Sequence, residues 1–467
     1  MPEVWHHARV AAIFKKGDVA DCGNYRPISL LQIGYKLFAS ILLQRFKNGG
    51  AEQRIWHTQF GFCTGRGTLD AIFLARRLIE DAQAIKDRTL ILLALDWAKA
   101  FDSIAPDRLV NALHRFGVPR KMVDTIRAIY TNRTFYVRDA GDDSPSHPQQ
   151  YGISQGCPLS PFLFGIIMTI LMTDAKAQLA TSAQYQTPPT LVQELLYADD
   201  TLLVDVDSTC IQQYMKCVAE QGKVYGLVFN WGKLETLPLN CSCSIPTPEG
   251  GFVKQKERLV YLGSVLCADG SAASELNRRI GAARGEFDKL SRIWKHSCVL
   301  QGRKLEIFNA CVISKLTYNL HSLWLNVAET RRLDAFHIQC LRKILHIPHS
   351  YYSRVSNSDV LQRASANSLS ATLLERQLRY MGELACRPDT NVLKQSVFRI
   401  IPGSFEPKVP VGPRRRGRPK MLWSKGVFEH AVLAAGSRDL LKDLWRDDPA
   451  AKTAWKDAIH QYCHARH

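Results

Sequence analysis

The sequence predicts an α+β protein in which a split βαββαβ sheet precedes a mainly helical, basic segment. Between residues 90 and 265, short apolar runs alternate with longer amphipathic stretches. Two of the apolar runs adjoin aspartates, which is typical of strands that end at a site. From about residue 270, apolar residues recur at helical spacing with basic residues between them. The resulting order of elements is that of a ferredoxin-like sheet.

The elements are predicted as follows. Residues 35–46 and 69–84 form amphipathic helices. The central elements are a strand at 90–96, helices within 107–130, a strand at 133–139, a helix at 161–177, a hairpin at 194–206, a helix at 209–225 and a strand at 234–239. The apolar stretch 162–172 is too short to span a bilayer, so it is predicted to be a buried helix.

The charge balance indicates a polyanionic partner. The formal net charge is +18, which favours nucleic acid over a membrane surface. Thirteen cysteines lack paired spacing, and no signal peptide is apparent. These features predict free thiols in a reducing compartment, the nucleus or otherwise the cytoplasm.

Three aspartates are the strongest chemical signal. Asp199 and Asp200 stand in the tetrad YADD between two apolar runs, a pattern that predicts a tight turn between strands. Asp96 ends another apolar run, 90–95. If these strands are neighbours, the carboxylates converge, and hard divalent cations would offset their repulsion. A pair of such ions suits phosphoryl transfer, so the residues predict a nucleotide-polymerising site.

Seven sequence blocks, in order, resemble the reverse transcriptases of non-LTR (LINE-type) retrotransposons. One short block would be weak support, whereas seven in the family's order are strong support. The blocks are FKKGDVADCGNYRPISLL (14–31), QFGFCTGRGTLDAI (59–72), LALDWAKAFDSI (93–104), YGISQGCPLSPFLF (151–164), YADDTLLV (197–204), GLVFNWGKLET (226–236) and YLGSVL (261–266). Group II intron reverse transcriptases are also similar, but Cys157 in SQGCPLSP looks more like the LINE-type version.

The resemblance implies a right-hand polymerase with fingers, a ferredoxin-like palm and a helical thumb. Its implied divisions are partial fingers at 1–89, the palm at 90–265, the thumb at 266–350, a helical region at 351–400 and a basic tail at 401–467. It also implies RNA-directed DNA synthesis from an RNA template, a primer 3′ end and dNTPs. Two Mg²⁺ ions, or Mn²⁺, would be the cofactors.

The catalytic residues implied by the resemblance are the metal ligands Asp96, Asp199 and Asp200, together with Lys233. Asp96 and Asp199 match the stricter ligand pair. Lys233 matches a lysine that protonates the departing pyrophosphate. The alternatives are turn or capping aspartates and an exposed turn lysine, all of which are common.

Four residues are candidates for nucleotide binding. Phe101 matches a steric gate whose ring would clash with a 2′-OH; the alternative is a core phenylalanine. Arg66, in TGRGT, presents a guanidinium that suits a triphosphate. Arg26 and Lys36 are weaker candidates, and solvated surface charge would explain them equally well. Gly156 would let the backbone approach the nucleotide or template, and Gln155 could hydrogen-bond base or sugar. A simple turn that starts a helix would also explain the last pair.

Further nucleic-acid contacts are predicted in the second half of the chain. Tyr261 and Gly263 match a primer-grip hairpin. The run RRRGRPK, with Arg414, Arg415, Arg416 and Arg418, resembles an AT-hook for a DNA minor groove. A nuclear import signal or a solvated charge run in a disordered linker would explain it equally well.

Two His/Cys groups have spacing compatible with zinc: His337-Cys340-His346-His349 and His460-Cys463-His464-His467. A helical apolar face explains Cys340 without a metal. We therefore expect ordinary packing rather than zinc at both groups.

The chain is expected to be the polymerase and C-terminal part of an N-terminally truncated element, because its fingers begin late. Endonuclease activity on a DNA target would have to come from elsewhere, and no membrane partner is expected. Two other hypotheses remain: an inactive nucleic-acid-binding remnant, and an intron-maturase-like RNA-folding protein.

Overall fold

The computed structural model describes residues 1–139, 141–182, 185–401, 405–417 and 421–464. They form two compact units, each assembled from separate stretches of chain. The first unit contains Met1–Ala71, Ile91–Thr236 and Ser242–Gln255, and the second contains Ile72–Leu90, Leu237–Cys241 and Lys256–His467. The division into fingers, palm and thumb predicted from the sequence stays a prediction.

Twelve strands are described along the chain. They are β1 (His7–Phe14), β2 (Tyr25–Leu30), β3 (Leu90–Leu95), β4 (Thr134–Asp139), β5 (Asp142–Asp143), β6 (His147–Pro148), β7 (Glu194–Tyr197), β8 (Asp200–Asp205), β9 (Glu235–Leu239), β10 (Lys254–Gln255), β11 (Arg258–Tyr261) and β12 (Ser264–Cys267).

The helices lie between and after these strands. The first seven are α1 (Ile33–Asn48), α2 (Thr68–Ala84), α3 (Ala100–Ser103), α4 (Pro106–Phe116), α5 (Arg120–Tyr130), α6 (Ser160–Ala180) and α7 (Ser208–Val224). The C-terminal ones are α8 (Ala273–Lys289), α9 (Ser291–Lys295), α10 (Gln301–Phe308), α11 (Ser314–Thr317), α12 (Val327–Ile344), α13 (Ser350–Ser353), α14 (Asn357–Arg363), α15 (Leu369–Ala385), α16 (Val392–Val397), α17 (Trp423–Ala435), α18 (Arg438–Trp445) and α19 (Pro449–His464).

The central sheet has the strand order β10-β9-β3-β8-β7. The units β3-α6-β7 and β8-α7-β9 interleave in it, because β8 lies between β3 and β7 while β3 lies between β8 and β9. This is the predicted ferredoxin-like arrangement. Five of the six residues in β3 are buried, which explains its continuous apolar sequence, since neighbours cover both of its edges and both of its faces.

One predicted strand belongs to a different sheet. We expected residues 133–139 to lie in the ferredoxin-like order, but β4 pairs in parallel with β1, which also pairs antiparallel with β2. The physical reason lies in the sequence TFYVRD, whose side chains suit a partly exposed strand rather than a buried central one.

Helix α6 is longer than its apolar stretch suggested. It has 21 residues, and by length and composition alone it could cross a membrane. However, 67% of its most apolar 18-residue window is buried inside the protein. The prediction of a buried helix is therefore confirmed, although the argument from insufficient length was wrong.

The second unit has its own apolar core among its helices. Phe308, Leu316 and Leu333 are each 0% exposed and belong to one continuous cluster. Between α10 and α11 the helix widens into a π-helical turn, Asn309–Ile313. A two-stranded sheet of β11 and β12 precedes the helices.

A buried ionic network ties this hairpin to helix α8. Glu275 is 1% exposed. Its carboxylate accepts hydrogen bonds from Ser264 Oγ at 3.0 Å, from the Val265 N–H at 2.9 Å and from Arg279 Nε at 2.6 Å. Although burial opposes ionisation, the hydrogen bonds from Arg278 and Val265 hold the pKa of Glu275 below its usual value. A charge this deep is tolerated because each of its oxygens is bonded.

The substitution Glu275→Gln is expected to destabilise the protein by about 3–5 kcal/mol, because it leaves buried guanidinium groups without their counter-charge. Chemical denaturation measures this change. Glu306→Gln is the matched control, because Glu306 pairs with Arg303 at the surface, where both side chains are mostly exposed. Equal stabilities of the two variants would show that the network contributes nothing beyond a surface pair.

Candidate active site

The YADD tetrad forms the tight turn between β7 and β8. Tyr197 pairs with Asp200, which leaves Ala198 and Asp199 as the two turn residues. Ala198 has a φ of 56°, a left-handed conformation that costs a residue with a Cβ about 1–2 kcal/mol. The strained turn projects two adjacent carboxylates from one end of the sheet.

The antiparallel register of β3 and β8 brings Asp96 to the same end. Leu95 pairs with Thr201, so the residue that follows Leu95 lies beside the residue that precedes Thr201. Loss of hydration, together with the charges of Asp199 and Asp96, raises the pKa of Asp200 to about 6. Loss of hydration and the charge of Asp96 also raise the pKa of Asp199, while nearby Arg26 opposes this shift. The three predicted carboxylates therefore do come together and repel one another.

The donor set of this cluster fits hard divalent cations. Carboxylate oxygens are the ligands that Mg²⁺ prefers. The Oδ2 of Asp96 is buried and receives no hydrogen bond from the described residues, although the ammonium of Lys233 lies 3.4 Å from it. In the described ranges, no three His, Cys, Asp or Glu side chains already stand at metal-binding geometry. The residues supply the right chemistry, and binding would require the side chains to draw together.

Lys233 is held beside Asp96 by backbone pairing between two of the sequence blocks. The Ala98 N–H donates to Val228 O and the Asn230 N–H to Asp96 O, both at 2.8 Å. The short 3₁₀ helix Trp231–Lys233 follows directly. As a result Lys233 Nζ lies 3.4 Å from Asp96 Oδ2, while 66% of its side chain stays exposed. The structure therefore places Lys233 at the carboxylate cluster.

Trp97 contributes to this arrangement and was missed in the sequence analysis. Its ring packs against Phe229, with centroids 4.3 Å apart. Its Nε1 donates to Thr201 Oγ1 at 3.3 Å. Trp97 thus connects the segment that follows Asp96 to strand β8 and to the segment that contains Lys233. The sequence signal that could have identified Trp97 is a large aromatic residue immediately after a candidate ligand.

A comparison with protein families agrees with this geometry. The family described as "Reverse transcriptase (RNA-dependent DNA polymerase)" matches residues 13–266, which is more than half of the chain and includes every residue of the carboxylate cluster. The chain belongs to the reverse transcriptase family. Reverse transcriptases as a family use divalent metal ions, which agrees with the donor set.

The relatives are proteins of mobile elements. The chain is 26% identical over 328 residues to a transposon TX1 149 kDa protein of Xenopus laevis, with 68% of this chain and 24% of the relative covered. It is 24% identical to an R2 retrotransposable-element polyprotein of Popillia japonica, with 80% and 53% covered. It is 23% identical to the RNA-directed DNA polymerase of the jockey element of Drosophila melanogaster, with 86% and 44% covered. The chain thus spans about a quarter to a half of these relatives.

A solved structure also aligns with this reverse transcriptase, but loosely. Apo telomerase from Candida Tropicalis shares 11% identity, with 80% of this chain and 66% of that chain covered. The TM-score of this alignment is 0.41.

Arg66 is used differently from the role predicted for it. One guanidinium nitrogen, Nη1, donates to His57 O at 3.2 Å and to Gln59 O at 2.8 Å. It also lies 3.5 Å from Trp56 O. This nitrogen therefore holds the loop before Gln59 in place. The physical reason is that the neighbouring carbonyl oxygens of this loop compete for the guanidinium donors.

Gly156 is required by the protein's own backbone. It has a φ of 124°, and a Cβ at this position would clash with the carbonyl oxygen of Ser29 in β2. The Ser29 N–H donates to Gln155 O at 2.7 Å, which anchors the approach. The structure therefore shows a close approach of Gly156 to Ser29, and the predicted approach to a nucleotide or template stays a prediction.

The side chains of Gln155 and Phe101 lie next to neighbouring motif residues. Gln155 Nε2 lies 3.2 Å from both carboxylate oxygens of Asp102. The half-buried ring of Phe101 stacks on buried Phe164, with centroids 4.7 Å apart and an interplanar angle of 14°. This stacking fixes the orientation of the Phe101 ring, as a steric gate requires.

In the second unit, Leu262 and Gly263 form a two-residue hairpin turn between Tyr261 and Ser264. Leu262 and Gly263 both have positive φ, as a type I′ turn requires. Gly263 O accepts hydrogen bonds from Arg278 and Arg279, each at 2.5 Å. The Tyr261 side chain is only 4% exposed, and the predicted role of the hairpin in gripping a primer stays a prediction. Apolar packing beneath the hairpin explains its burial.

The basic run begins as an ordered segment. The Lys86 N–H donates to Pro413 O at 2.8 Å, and Arg414 bridges antiparallel to Ile85. The side chain of Arg415 donates to Gln83. Arg414, Arg415 and Arg416 are exposed, so their remaining donors face solvent. Arg418, with the rest of the predicted AT-hook, lies outside the described residues, and its role stays a prediction.

The first His/Cys group packs as expected of helix residues. His337 is 3% exposed, and its ring is parallel to that of Phe308 at 5.9 Å. Burial alone lowers the pKa of His337 to about 4. Of the second group, His467 and the His464 side chain lie outside the described residues.

The substitution Gly156→Ala is expected to destabilise the reverse transcriptase by about 1–3 kcal/mol, because the added Cβ meets backbone that cannot move aside cheaply. Denaturant titration measures the change. The matched control is Gly281→Ala in helix α8, where an added Cβ meets open space and helix propensity improves. If both variants were as stable as the parent, the packing of Gly156 on Ser29 would be refuted.

Proposed function

We propose that this chain is the polymerase portion of a non-LTR retrotransposon protein and catalyses RNA-directed DNA synthesis. In this reaction the primer 3′-OH attacks the α-phosphate of a dNTP, and pyrophosphate leaves. The observation that carries the proposal is the convergence of Asp96 with Asp199 and Asp200 at one end of the central sheet, inside the region that matches the family. The names of the relatives support the RNA-directed reaction.

We propose Asp96, Asp199 and Asp200 as the ligands of two Mg²⁺ ions, with Mn²⁺ as a substitute. When bound, the ions would activate the attacking hydroxyl and offset the charge of the leaving group. The raised pKa values of Asp199 and Asp200 support this assignment, because they report carboxylates crowded without enough positive charge.

Lys233 supplies a cationic, proton-carrying group at the same place. Its exposed ammonium faces Asp96 and can reach a departing pyrophosphate while the backbone stays fixed. A positioned acid of this kind contributes about 10²–10⁴-fold to a rate.

Arg26 replaces Arg66 as the better candidate for holding the triphosphate. The Arg66 Nη1 already serves three carbonyl oxygens, whereas Arg26 is exposed on β2 and close enough to lower the pKa of Asp199. A guanidinium beside the carboxylate cluster can receive phosphate oxygens bidentately. Arg66 then acts by fixing the loop that leads into the site.

The partners follow from charge and from the relatives. An RNA template, a primer 3′ end and dNTPs are the proposed ligands, and the net charge of +18 suits contacts to their phosphates. The exposed Arg414, Arg415 and Arg416 are proposed contacts to a DNA target. We propose the nucleus as the site of action, because a DNA target would be met there.

Replacing both turn aspartates, Asp199→Ala/Asp200→Ala, is expected to abolish primer extension on a primed homopolymer RNA with dNTPs and Mg²⁺, since two of three ligands are lost. Salt-dependent RNA binding should persist, because phosphate contacts lie elsewhere. Asp142→Ala/Asp143→Ala is the matched control, since it removes two exposed aspartates of β5. Parent protein that binds RNA but extends nothing would instead support an inactive remnant.

The steric-gate role of Phe101 makes a separate prediction. Phe101→Val should raise ribonucleotide incorporation relative to deoxynucleotide incorporation by about tenfold or more, because a smaller side chain leaves room for a 2′-OH. Competitive incorporation assays measure the ratio. Phe135→Val, a change to a partly buried ring of β4, should leave the ratio unaltered. An unchanged ratio in both variants would reduce Phe101 to a packing residue.

A further inference from the structure

The strand that leads into the YADD turn pairs with a segment, Thr58–Phe60, that precedes it by more than a hundred residues. The Leu196 N–H donates to Thr58 O at 3.0 Å, and the Phe60 N–H donates to Leu196 O at 2.8 Å. Gln59 and Leu196 therefore form a parallel bridge at the edge strand β7. This pairing brings the Gln59 side chain next to the turn.

The side-chain amide of Gln59 bonds to both sides of Ala198. Its Oε1 accepts hydrogen bonds from the Ala198 N–H at 2.9 Å and from the Gly61 N–H at 2.8 Å. Its Nε2 donates to Ala198 O at 3.3 Å. The side chain is 1% exposed, so no water competes for these bonds. An amide is suited to this task because it offers an acceptor and a donor from one planar group.

The contact leaves little freedom for the turn. A Cβ at position 61 would clash with the Ala198 backbone nitrogen, so Gly61 lets the two backbones touch. Arg66 in turn donates to Gln59 O at 2.8 Å, which holds the segment from its other side. The left-handed conformation of Ala198 is thus stabilised by bonds to both of its peptide groups.

We propose that Gln59 is a positioning residue for catalysis, which clamps Ala198 and thereby sets the direction in which Asp199 and Asp200 project. This inference rests on the proposed function of the aspartates. Gln59 touches neither substrate nor carboxylate; it acts through the backbone of the turn. Because misplacement of a reacting group by about 1 Å can cost about 10²-fold in rate, loss of the clamp should lower kcat while leaving nucleotide and template binding nearly unchanged.

The test replaces Gln59 with Met, which keeps the length and apolar packing of the side chain but removes every hydrogen bond. The first measurement is amide hydrogen exchange in the full chain, resolved at Ala198. Exchange should become faster, on the order of tenfold, because a buried hydrogen bond is lost. Gln59→Glu should keep slow exchange at Ala198, because it retains an oxygen that accepts the N–H.

The matched control is Gln377→Met in helix α15. Gln377 is also buried, at 4% exposed, and its Nε2 donates to Leu323 O at 2.7 Å. This variant loses one buried hydrogen bond in the second unit, whereas Gln59→Met loses three, and it should leave exchange at Ala198 unchanged. It separates a general loss of stability from a local release of the turn.

The second measurement is steady-state primer extension. Gln59→Met should lower kcat about 10²-fold, with the KM for dNTP and the Kd for primed RNA changing much less, whereas Gln377→Met should retain the parent kcat. Unchanged exchange at Ala198 in Gln59→Met, or equal loss of kcat in both Met variants, would overturn the proposal. If the parent protein extends no primer, the proposed function fails, while the exchange experiment still decides whether Gln59 holds the turn.

Discussion

The antiparallel register between β3 and β8 is the constraint on which the site depends. Asp96 lies opposite the YADD turn only because Leu95 pairs with Thr201. A slip of one residue would turn every side chain of β3 to the other face, so apolar burial opposes it. Since Leu92 and Leu93 are both 0% exposed, the sheet has apolar neighbours on both faces, and the register is specified by packing on each side. The core thus specifies the position of a polar cluster that by itself opposes folding.

That opposition is visible in the electrostatics. Asp199 and Asp200 both have raised pKa values, which means that the folded state holds them against their preference for hydration and separation. Two cations supply partial compensation: Lys233, at the end of a short 3₁₀ helix, pairs with Asp96, and Arg26, on β2, lowers the pKa of Asp199. The surrounding structure stabilises such a site. Its free energy would fall when cations bind the carboxylates or phosphates bind Arg26 and Lys233, which is the behaviour expected of a binding site.

Much of the fold was predictable from local patterns. Helices α1, α2, α6 and α7 and strands β3, β7, β8 and β9 follow from apolar periodicity, because their burial is set within each segment. The placement of β4 was not predictable, since its choice between two sheets depends on β1, far away in sequence. The proximity of Lys233 to Asp96 followed from family resemblance, and the structure supplies its physical reason in the Asn230–Asp96 backbone bond.

Several motif residues contact the protein's own backbone. The contacts of Arg66 and Gly156 to substrate stay predictions; in the structure Arg66 donates to backbone carbonyl oxygens and Gly156 lies against the backbone of Ser29. Gln59 stands in the same kind of motif and bonds to the catalytic turn. A motif reports that a residue type is needed at a position, but not whether its partner is a ligand or a loop. In this reverse transcriptase some backbone segments lie so close together that only particular residues fit between them. Such contacts occur at the YADD turn and at β2. The YADD turn is therefore held by a residue of another motif as well as by the strands that carry the aspartates.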